Sequence, residues 1–332
     1  MSIVITKTPL RVSFFGGGTD YPEWIENHGS EIISTTINKY INVVCMFHPE
    51  YYKYQKSRII YKKIENIDSF DEIEHPVVKA TLNFLNYKKG KGIDFYYNGD
   101  LPSKSGLGSS SAFAISCLNA LGKLKKIKYS KKQLANNAIH IEQNILNETV
   151  GFQDQIACAY GGLNHIKISK KNLFKVEPLI ISEKQRKKFN NSFILVNSGK
   201  TRYAHKIADD IVLNILKKEK TLLEMASLTK EAKKILVSKK NLDEFGLLLN
   251  ETWKMKKELS KSVSNQRIDD LYSFGMQNGA LGGKLLGAGS DGFMLFYVKD
   301  TMKQKLKRML NKFSIIDLEI EDHGSRVYNI EN

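Results

Sequence analysis

Over roughly the first hundred residues, apolar and polar positions alternate in short runs with a period near two, the pattern of half-buried strands. Ile3–Thr6, Arg11–Phe14, Ile41–Phe47, Arg58–Lys63 and Ile93–Tyr97 read as strands between Gly-rich or polar turns. Short helices interrupt them over Tyr21–Glu26, closed at His28–Gly29, and over His75–Leu85. From Ser109 the period lengthens to that of a helix. Ser109–Leu124 predicts one helix, and Ser130–Asn147 a second, opened by a capping box of Ser130 with Gln133. Gly151–Ala159 predicts a third, stopped by Gly161 and Gly162.

The chain turns polar and basic over Val176–Phe189, which predicts a boundary between a unit of residues 1–185 and one of residues 186–332. Beyond it, Ser192–Val196 reads as a strand, followed by four helical stretches between Tyr203 and Gln277. A strand (Phe293–Lys299), a helix (Thr301–Lys312) and a strand (Ser314–Glu321) close the pattern. Strands and helices interleave in both halves without a regular βαβ rhythm, which predicts an α+β fold in two parts.

Composition adds mainly exclusions. With 42% hydrophobic and 26% charged residues, the 332-residue chain has the make-up of a globular protein and not of a disordered one. Cys45, Cys117 and Cys158 have no CxxC spacing, so neither a disulfide framework nor a Cys-based zinc site is expected. They read as small core residues in a reducing compartment. Lys7 and Arg11 interrupt the N-terminal apolar run, and no stretch approaches the ~18 apolar residues of a membrane-spanning helix. A cytoplasmic protein without a membrane partner is the expectation.

The net charge of +16 raises the question of nucleic acid. Only seven of the 51 basic residues are Arg, and the lysines are spread along the chain. A solvated Lys-biased surface, favourable to small anionic substrates, is therefore expected in place of a nucleic-acid partner. Oligomeric state leaves no readable pattern.

The segment Gly99–Leu121 (GDLPSKSGLGSSSAFAISCLNAL) is the most informative for chemistry. A strand leads through Pro102 to Gly106, Leu107 and Gly108, then Ser109, Ser110 and Ser111, and a helix of small apolar residues. Glycines admit close backbone approach, and the unpaired N–H groups of a helix's first turn attract an anion. A phosphate fits all of these, although a Gly/Ser turn that simply starts a helix has the same composition. The loop is not of the Walker type, since no Gly-x-x-x-x-Gly-Lys-Ser/Thr occurs. Residues 287–292 (GAGSDG) match GxGxxG, but a strand-like run follows where a dinucleotide fold requires a helix.

Further candidates are Arg11, just before the run Gly16-Gly17-Gly18-Thr19-Asp20-Tyr21, and the carboxylates Asp20, Glu142 and Asp154. Asp20 beside glycines could accept sugar hydroxyls or merely cap a turn. Glu142 lies mid-helix among apolar residues, and Asp154 opens a short helix, where negative charge is favoured in any case. The seven histidines show no HxxxH or HExxH spacing, so zinc is not expected.

Taken in order, the strand with Arg11 and GGGTDY, the Pro-x-x-x-Gly-Leu-Gly-Ser-Ser-Ser loop, the helix with Glu142, Gly-x-x-Asp-Gln, and Lys284-Leu-Leu-Gly-Ala-Gly-Ser-Asp-Gly resemble the GHMP kinases, from Thr6 to Phe296. The GGGTDYPEW form, the stretch Ser34–Tyr40 and Ser198–Arg202 look most like the D-glycero-D-manno-heptose 7-phosphate kinases, with fucose kinases similar over the same segments. Galactokinases have a Glu-His pair where this chain has Gly17 and Gly18, which argues against galactose.

The resemblance implies an N-terminal α+β domain with a left-handed crossover, a ferredoxin-like C-terminal domain, and an active site between them. It implies that Pro102, Gly106, Leu107, Gly108 and Ser109–Ser111 wrap the phosphates of ATP, that Ser110 and Glu142 hold Mg²⁺, and that Asp154 is the general base beside Arg11, which would keep it ionised. Gly17, Gly18, Thr19, Asp20, Gly287, Ala288 and Gly289 would line the acceptor pocket. The acceptor implied is a heptose 7-phosphate, phosphorylated at its anomeric hydroxyl for surface-polysaccharide synthesis. Its distal phosphate needs a second anion site, for which Lys200 and Arg202 are the candidates. Another GHMP acceptor such as L-fucose is the alternative, and a non-catalytic basic nucleic-acid-binding protein is the alternative of another class.

Overall fold

The computed structural model describes residues 2–49, 56–87, 92–103, 105–199, 204–238 and 241–331. In chain order the strands are β1 (Ser2–Phe15), β2 (Ser30–Phe47), β3 (Ser57–Ile60), β4 (Ile64–Ile67), β5 (Ile93–Gly99), β6 (Leu163–Ile168), β7 (Phe174–Pro178), β8 (Phe193–Asn197), β9 (Ala280–Leu285), β10 (Phe293–Val298), β11 (Ile315–Asp317) and β12 (Arg326–Glu331). The helices are α1 (Pro22–His28), α2 (Pro76–Phe84), α3 (Ser109–Leu124), α4 (Lys131–His140), α5 (Gln153–Tyr160), α6 (Glu183–Asn191), α7 (Ala204–Asn214), α8 (Glu219–Val237), α9 (Asp243–Leu259), α10 (Gln266–Gln277) and α11 (Asp300–Met309).

The long strand β2 organises the first sheet. Its first half pairs with β6 and its second half with β5, while β1 runs antiparallel along nearly its whole length. Pro9 cannot donate to the ladder, and the register shifts between Pro9 and Leu10, so β1 bends but does not stop. The two short runs expected at the N-terminus are therefore one strand. The run expected over Arg58–Lys63 is instead split into the hairpin β3–β4, closed by Tyr61 N–H donating to Lys63 O at 2.9 Å.

The second sheet is antiparallel with order β11-β8-β10-β9. In local numbering that is fourth, first, third, second, the ferredoxin-like βαββαβ arrangement that the family resemblance implied. Strand β9 was not foreseen, because Gly282 and Gly283 erase its strand signal. They are required by packing: a Cβ on Gly282 would lie 1.9 Å from Gly246 O on α9. Strands β6, β7 and β12 also escaped the sequence pattern. Strand β12 pairs with β1, so the last strand belongs to the first sheet although it lies within the span 186–332.

Helix α3 runs under β1 and β2 with nearly every side chain buried. Small residues on it, Ala112, Ala114, Ser116 and Ala120, permit the close approach. The sheets share one aromatic core: Phe14 of β1 meets Phe193 of β8 at 5.3 Å and Phe245 of α9 at 5.5 Å between ring centroids. Cys45, Cys117 and Cys158 are buried, as small core residues should be.

The loop before α3 is clamped by the second sheet. Phe293 N–H donates to Ser105 O at 3.1 Å, and Gly106, at φ +77°, presses against Leu286 O, which a Cβ would meet at 2.4 Å. Replacing Gly106 with Ala forces a left-handed conformation on an L-residue and separates two backbones. Gly106→Ala is expected to cost on the order of 2–3 kcal/mol, read as a lower urea midpoint. An unchanged midpoint would show that the two loops do not hold each other.

Candidate active site

Three Gly-rich loops meet around a cavity of about 830 Å³. They are the turn after β1, the loop leading into α3, and the loop between β9 and β10. The first turn of α3 opens onto the cavity without a side-chain cap, Gly108 at its head being left-handed at φ +71°. First-turn N–H groups have no partner within a helix, so this end is a positively polarised cradle for an anion.

Arg11 is carried to the cradle by β1, whose backbone also fixes the loop: Arg11 N–H donates to Leu107 O at 3.0 Å. Its guanidinium grips Asp154 in a bidentate pair, Nε to Oδ1 at 2.7 Å and Nη2 to Oδ2 at 2.6 Å, while Nη1 donates to Gly106 O at 2.6 Å. Asp154 sits in the first turn of α5, a quarter exposed to the cavity. Gly108 must be glycine here, since a Cβ would lie 2.9 Å from Arg11 Cγ.

Asp20 is 2% exposed and accepts N–H bonds from Gly18 (3.1 Å) and Gln153 (3.3 Å). Burial, with the charge of Asp154 adding to it, pushes its carboxyl up to about 6. Nearby, Lys256 and Lys284 are 5% and 3% exposed, their Nζ atoms bound to backbone carbonyls. Burial and then the Arg11 charge hold Lys284 down to about 7. Burial, then Lys284 and Arg11, depress Lys256 well below its ordinary value.

Glu142 is wholly buried on a π-helical turn, Ile141–Ile145, that ends α4 where one continuous helix was expected. Such bulges redirect a side chain, and here the carboxylate meets α3 and α5. Its Oε2 accepts from Ser111 Oγ at 2.9 Å and Gln155 Nε2 at 2.6 Å, and Oε1 has no hydrogen-bond partner among the described residues. Burial pushes this carboxyl up to about 8. The hydroxyl on Glu142 is thus that of Ser111, whereas Ser110, singled out from the sequence with Glu142, is exposed and lines the cavity.

Of the other residues marked in the sequence, Gly17, Gly18, Asp20, Gly106, Gly108, Ser109, Ser110, Ser111, Asp154, Gly287 and Ala288 line the cavity with Arg11. Others do not. Thr19 is fully buried with its hydroxyl spent on Gly16 O (2.7 Å) and Ser30 Oγ, so it braces the glycine turn and does not face the cavity. Leu107 is a core residue, Gly289 packs on Val263, and Pro102 is exposed off the cavity wall. Lys200 and Arg202 lie outside the described residues.

Sequence reasoning missed Lys256, whose only mark is a Lys-rich helix, and gave Lys284 no role. It also missed Ser13 and Gln153, whose Oγ and Oε1 are buried at the cavity wall without hydrogen-bond partners among the described residues. At the other end of the cavity, Tyr61, His75, Tyr97 and Phe113 make an aromatic wall, with Tyr97 and Phe113 ring centroids 4.6 Å apart. Burial holds the His75 imidazole below its ordinary value.

Comparison with known proteins gives consistent matches. A model of the GHMP kinases N terminal domain matches residues 76–162, and one of the GHMP kinases C terminal matches residues 230–314. The D-glycero-alpha-D-manno-heptose 7-phosphate kinase of Campylobacter jejuni is 29% identical, over 94% of this chain and 94% of that protein. The bifunctional fucokinase/GDP-fucose pyrophosphorylase of Arabidopsis thaliana is 26% identical over 95% of this chain, which spans 32% of that protein. Among solved structures, a D-glycero-D-manno-heptose 1-phosphate kinase from Bacteriodes thetaiotaomicron superposes with a TM-score of 0.82 at 22% identity, covering 99% of this chain and 100% of that one. At that identity the likeness establishes the fold.

The raised carboxyl of Asp20 makes a prediction independent of any ligand. A carboxyl held at about 6 when folded and near 3.8 when unfolded binds more protons in the native state between those values, so its contribution to stability falls as pH rises through that window. Asp20→Asn removes the charge at nearly constant shape, while its NH₂, unable to accept from Gly18 or Gln153, adds a cost that does not vary with pH. Urea denaturation is expected to show the variant gaining on wild type by on the order of 2–3 kcal/mol between pH 3.5 and pH 7.5. An equal difference at both pH values would contradict the buried-charge assignment.

Proposed function

The chain belongs to the GHMP kinases, ATP-using phosphotransferases with an alcohol acceptor, and within that family we propose that it phosphorylates the anomeric hydroxyl of D-glycero-α-D-manno-heptose 7-phosphate to give the 1,7-bisphosphate. The observation that carries this reading is the Arg11–Asp154 pair at the mouth of the α3 cradle, in a chain aligned end to end with a heptose 7-phosphate kinase. Formation of such a bisphosphate in the cytoplasm suits the synthesis of nucleotide-activated heptose for surface polysaccharide.

In this reading the triphosphate of ATP lies along residues 106–111, its terminal phosphates on the first-turn amides of α3. The base stacks at the aromatic end, against Tyr61, His75 and Tyr97. Phosphoryl transfer leaves the protein mostly positioning and charge stabilisation to supply. Asp154 takes the proton from the anomeric hydroxyl as that oxygen attacks the γ-phosphorus and ADP departs. Both Asp154 oxygens receive Arg11 donors, but each carboxylate oxygen has a second lone pair for the sugar. Asp20, Ser13 Oγ and Gln153 Oε1 supply buried polar groups for the ring hydroxyls.

The residues present fit Mg²⁺: Glu142 has a buried carboxylate oxygen without a hydrogen-bond partner among the described residues, its other oxygen accepts from Ser111 Oγ, and Ser110, the chain neighbour of Ser111, lines the cavity. No group of three or more His, Cys, Asp or Glu stands ready for a metal among the described residues, so phosphate oxygens and water would complete the shell, as Mg²⁺ commonly requires. When bound, Mg²⁺ neutralises charge on the terminal phosphates.

A coupled assay offering heptose 7-phosphate, L-fucose, galactose and mevalonate with ATP is expected to give by far the highest kcat/KM for heptose 7-phosphate. A preference for fucose would move the assignment to the fucokinase branch. Asp154→Asn is expected to lower kcat by about 10²–10⁴ while ATP still binds. Near-wild-type turnover would remove Asp154 as the base.

A further inference from the structure

Two lysines bury their ammonium groups at the acceptor end of the cavity, and the reaction proposed above gives neither of them a task. Lys256, in the last turn of α9, donates to Leu285 O at 3.0 Å and to Gly287 O. Lys284, on β9, donates to Phe14 O at 3.0 Å. An ammonium has three N–H donors, so one on Lys256 and two on Lys284 remain to be satisfied. Neither lysine has a carboxylate within ion-pairing distance among the described residues.

The surrounding charge does not balance. Arg11, Lys256 and Lys284 stand against Asp20 and Asp154, and Arg11 and Asp154 already satisfy each other in a bidentate pair. Beyond that pair the two buried lysines are left with Asp20, and burial disfavours the charged form of both. Burying ammonium groups so weakly matched is costly unless an anion completes the site. The triphosphate is not the natural claimant, because the helix cradle of α3 serves it. Both lysines instead hold on to the acceptor side. Lys284 bonds Phe14, the last residue but one of β1 before the glycine run, and Leu259, three residues beyond Lys256, lies 3.3 Å from where a Gly18 Cβ would be. A neutral sugar would leave the excess charge standing, whereas a phosphate monoester carries about −1.5 to −2 at pH 7 and matches two ammonium groups.

We infer that Lys256, with Lys284 beside it, reads the distal phosphate of the acceptor and so selects a phosphorylated sugar over its unphosphorylated counterpart. This rests on the acceptor proposed above and names the residues that would recognise it. The lysines grip the phosphate while Asp154 takes the anomeric hydroxyl. Gly17 and Gly18, lacking side chains, keep the path between them open.

The test is KM and kcat for heptose 7-phosphate and for the same heptose without phosphate, in wild type, Lys256→Gln and Lys256→Met, with KM for ATP alongside. Loss of a charge-assisted contact is expected to raise KM for heptose 7-phosphate by about 10- to 100-fold, with KM for the unphosphorylated sugar and for ATP nearly unchanged. A lysine that only ties α9 to the loop at 285–287 would move all three together, and that result overturns the inference. A wild type that favours heptose 7-phosphate, with variants that keep the preference, also overturns it while leaving the proposed function intact. A wild type that favours the unphosphorylated sugar overturns both. Should the variants fail to fold, ¹⁵N-lysine NMR of wild type decides. The two buried ammonium signals must shift with heptose 7-phosphate and not with heptose, and unmoved signals would refute the assignment.

Discussion

The bidentate pair between Arg11 and Asp154 is the constraint on which the site depends. Through its backbone Arg11 holds Leu107, and through its side chain it holds Gly106 and Asp154, so one residue of β1 fixes the loop before α3 and the start of α5 together. A buried ion pair is weak support for stability, because the desolvation of both ions offsets much of the attraction. What this pair supplies is register. If either partner moved, the general-base candidate and the helix cradle would no longer face the same point in the cavity. The left-handed Gly108 completes the arrangement by leaving room for the Arg11 side chain, which a Cβ there would crowd.

The parts of the site that were legible in the sequence are those where backbone geometry or residue chemistry leaves a local mark. Gly106, Gly108 and Gly287 have positive φ, the first and last pressing against other backbones and Gly108 against the Arg11 side chain, so glycine is required and its clusters stand out. The capping box of Ser130 with Gln133 is likewise present as read. Other features were illegible because their cause lies far off in the chain. Lys284 reaches Phe14 across the molecule, and Lys256 is one lysine among many on a basic surface until the fold buries it. Thr19 shared a motif with Asp20, yet its hydroxyl turned inward to brace the loop. The π turn at Ile141–Ile145 rotates Glu142 toward Ser111, a one-residue change of phase that helical periodicity alone does not reveal.

The cavity also concentrates electrostatic cost. Asp20 and Glu142 are pushed up and Lys284 is pushed down, each chiefly by burial, within one connected region. Burial disfavours the charged form of each, and such perturbation gathers where chemistry is done. The shared aromatic core of Phe14, Phe193 and Phe245 supplies the rigid backing that keeps these charges in place. The +16 net charge acts on a larger scale, drawing anionic substrates toward the cavity without specifying which one enters.

The most direct test of this arrangement is a crystal structure with a non-hydrolysable ATP analogue and the sugar phosphate bound together. The terminal phosphate should rest on the amides of Ser109–Ser111, with the anomeric oxygen in hydrogen-bond contact with Asp154 and in line with the γ-phosphorus. A nucleotide lodged away from the head of α3, or an anomeric oxygen turned from Asp154, would contradict the account.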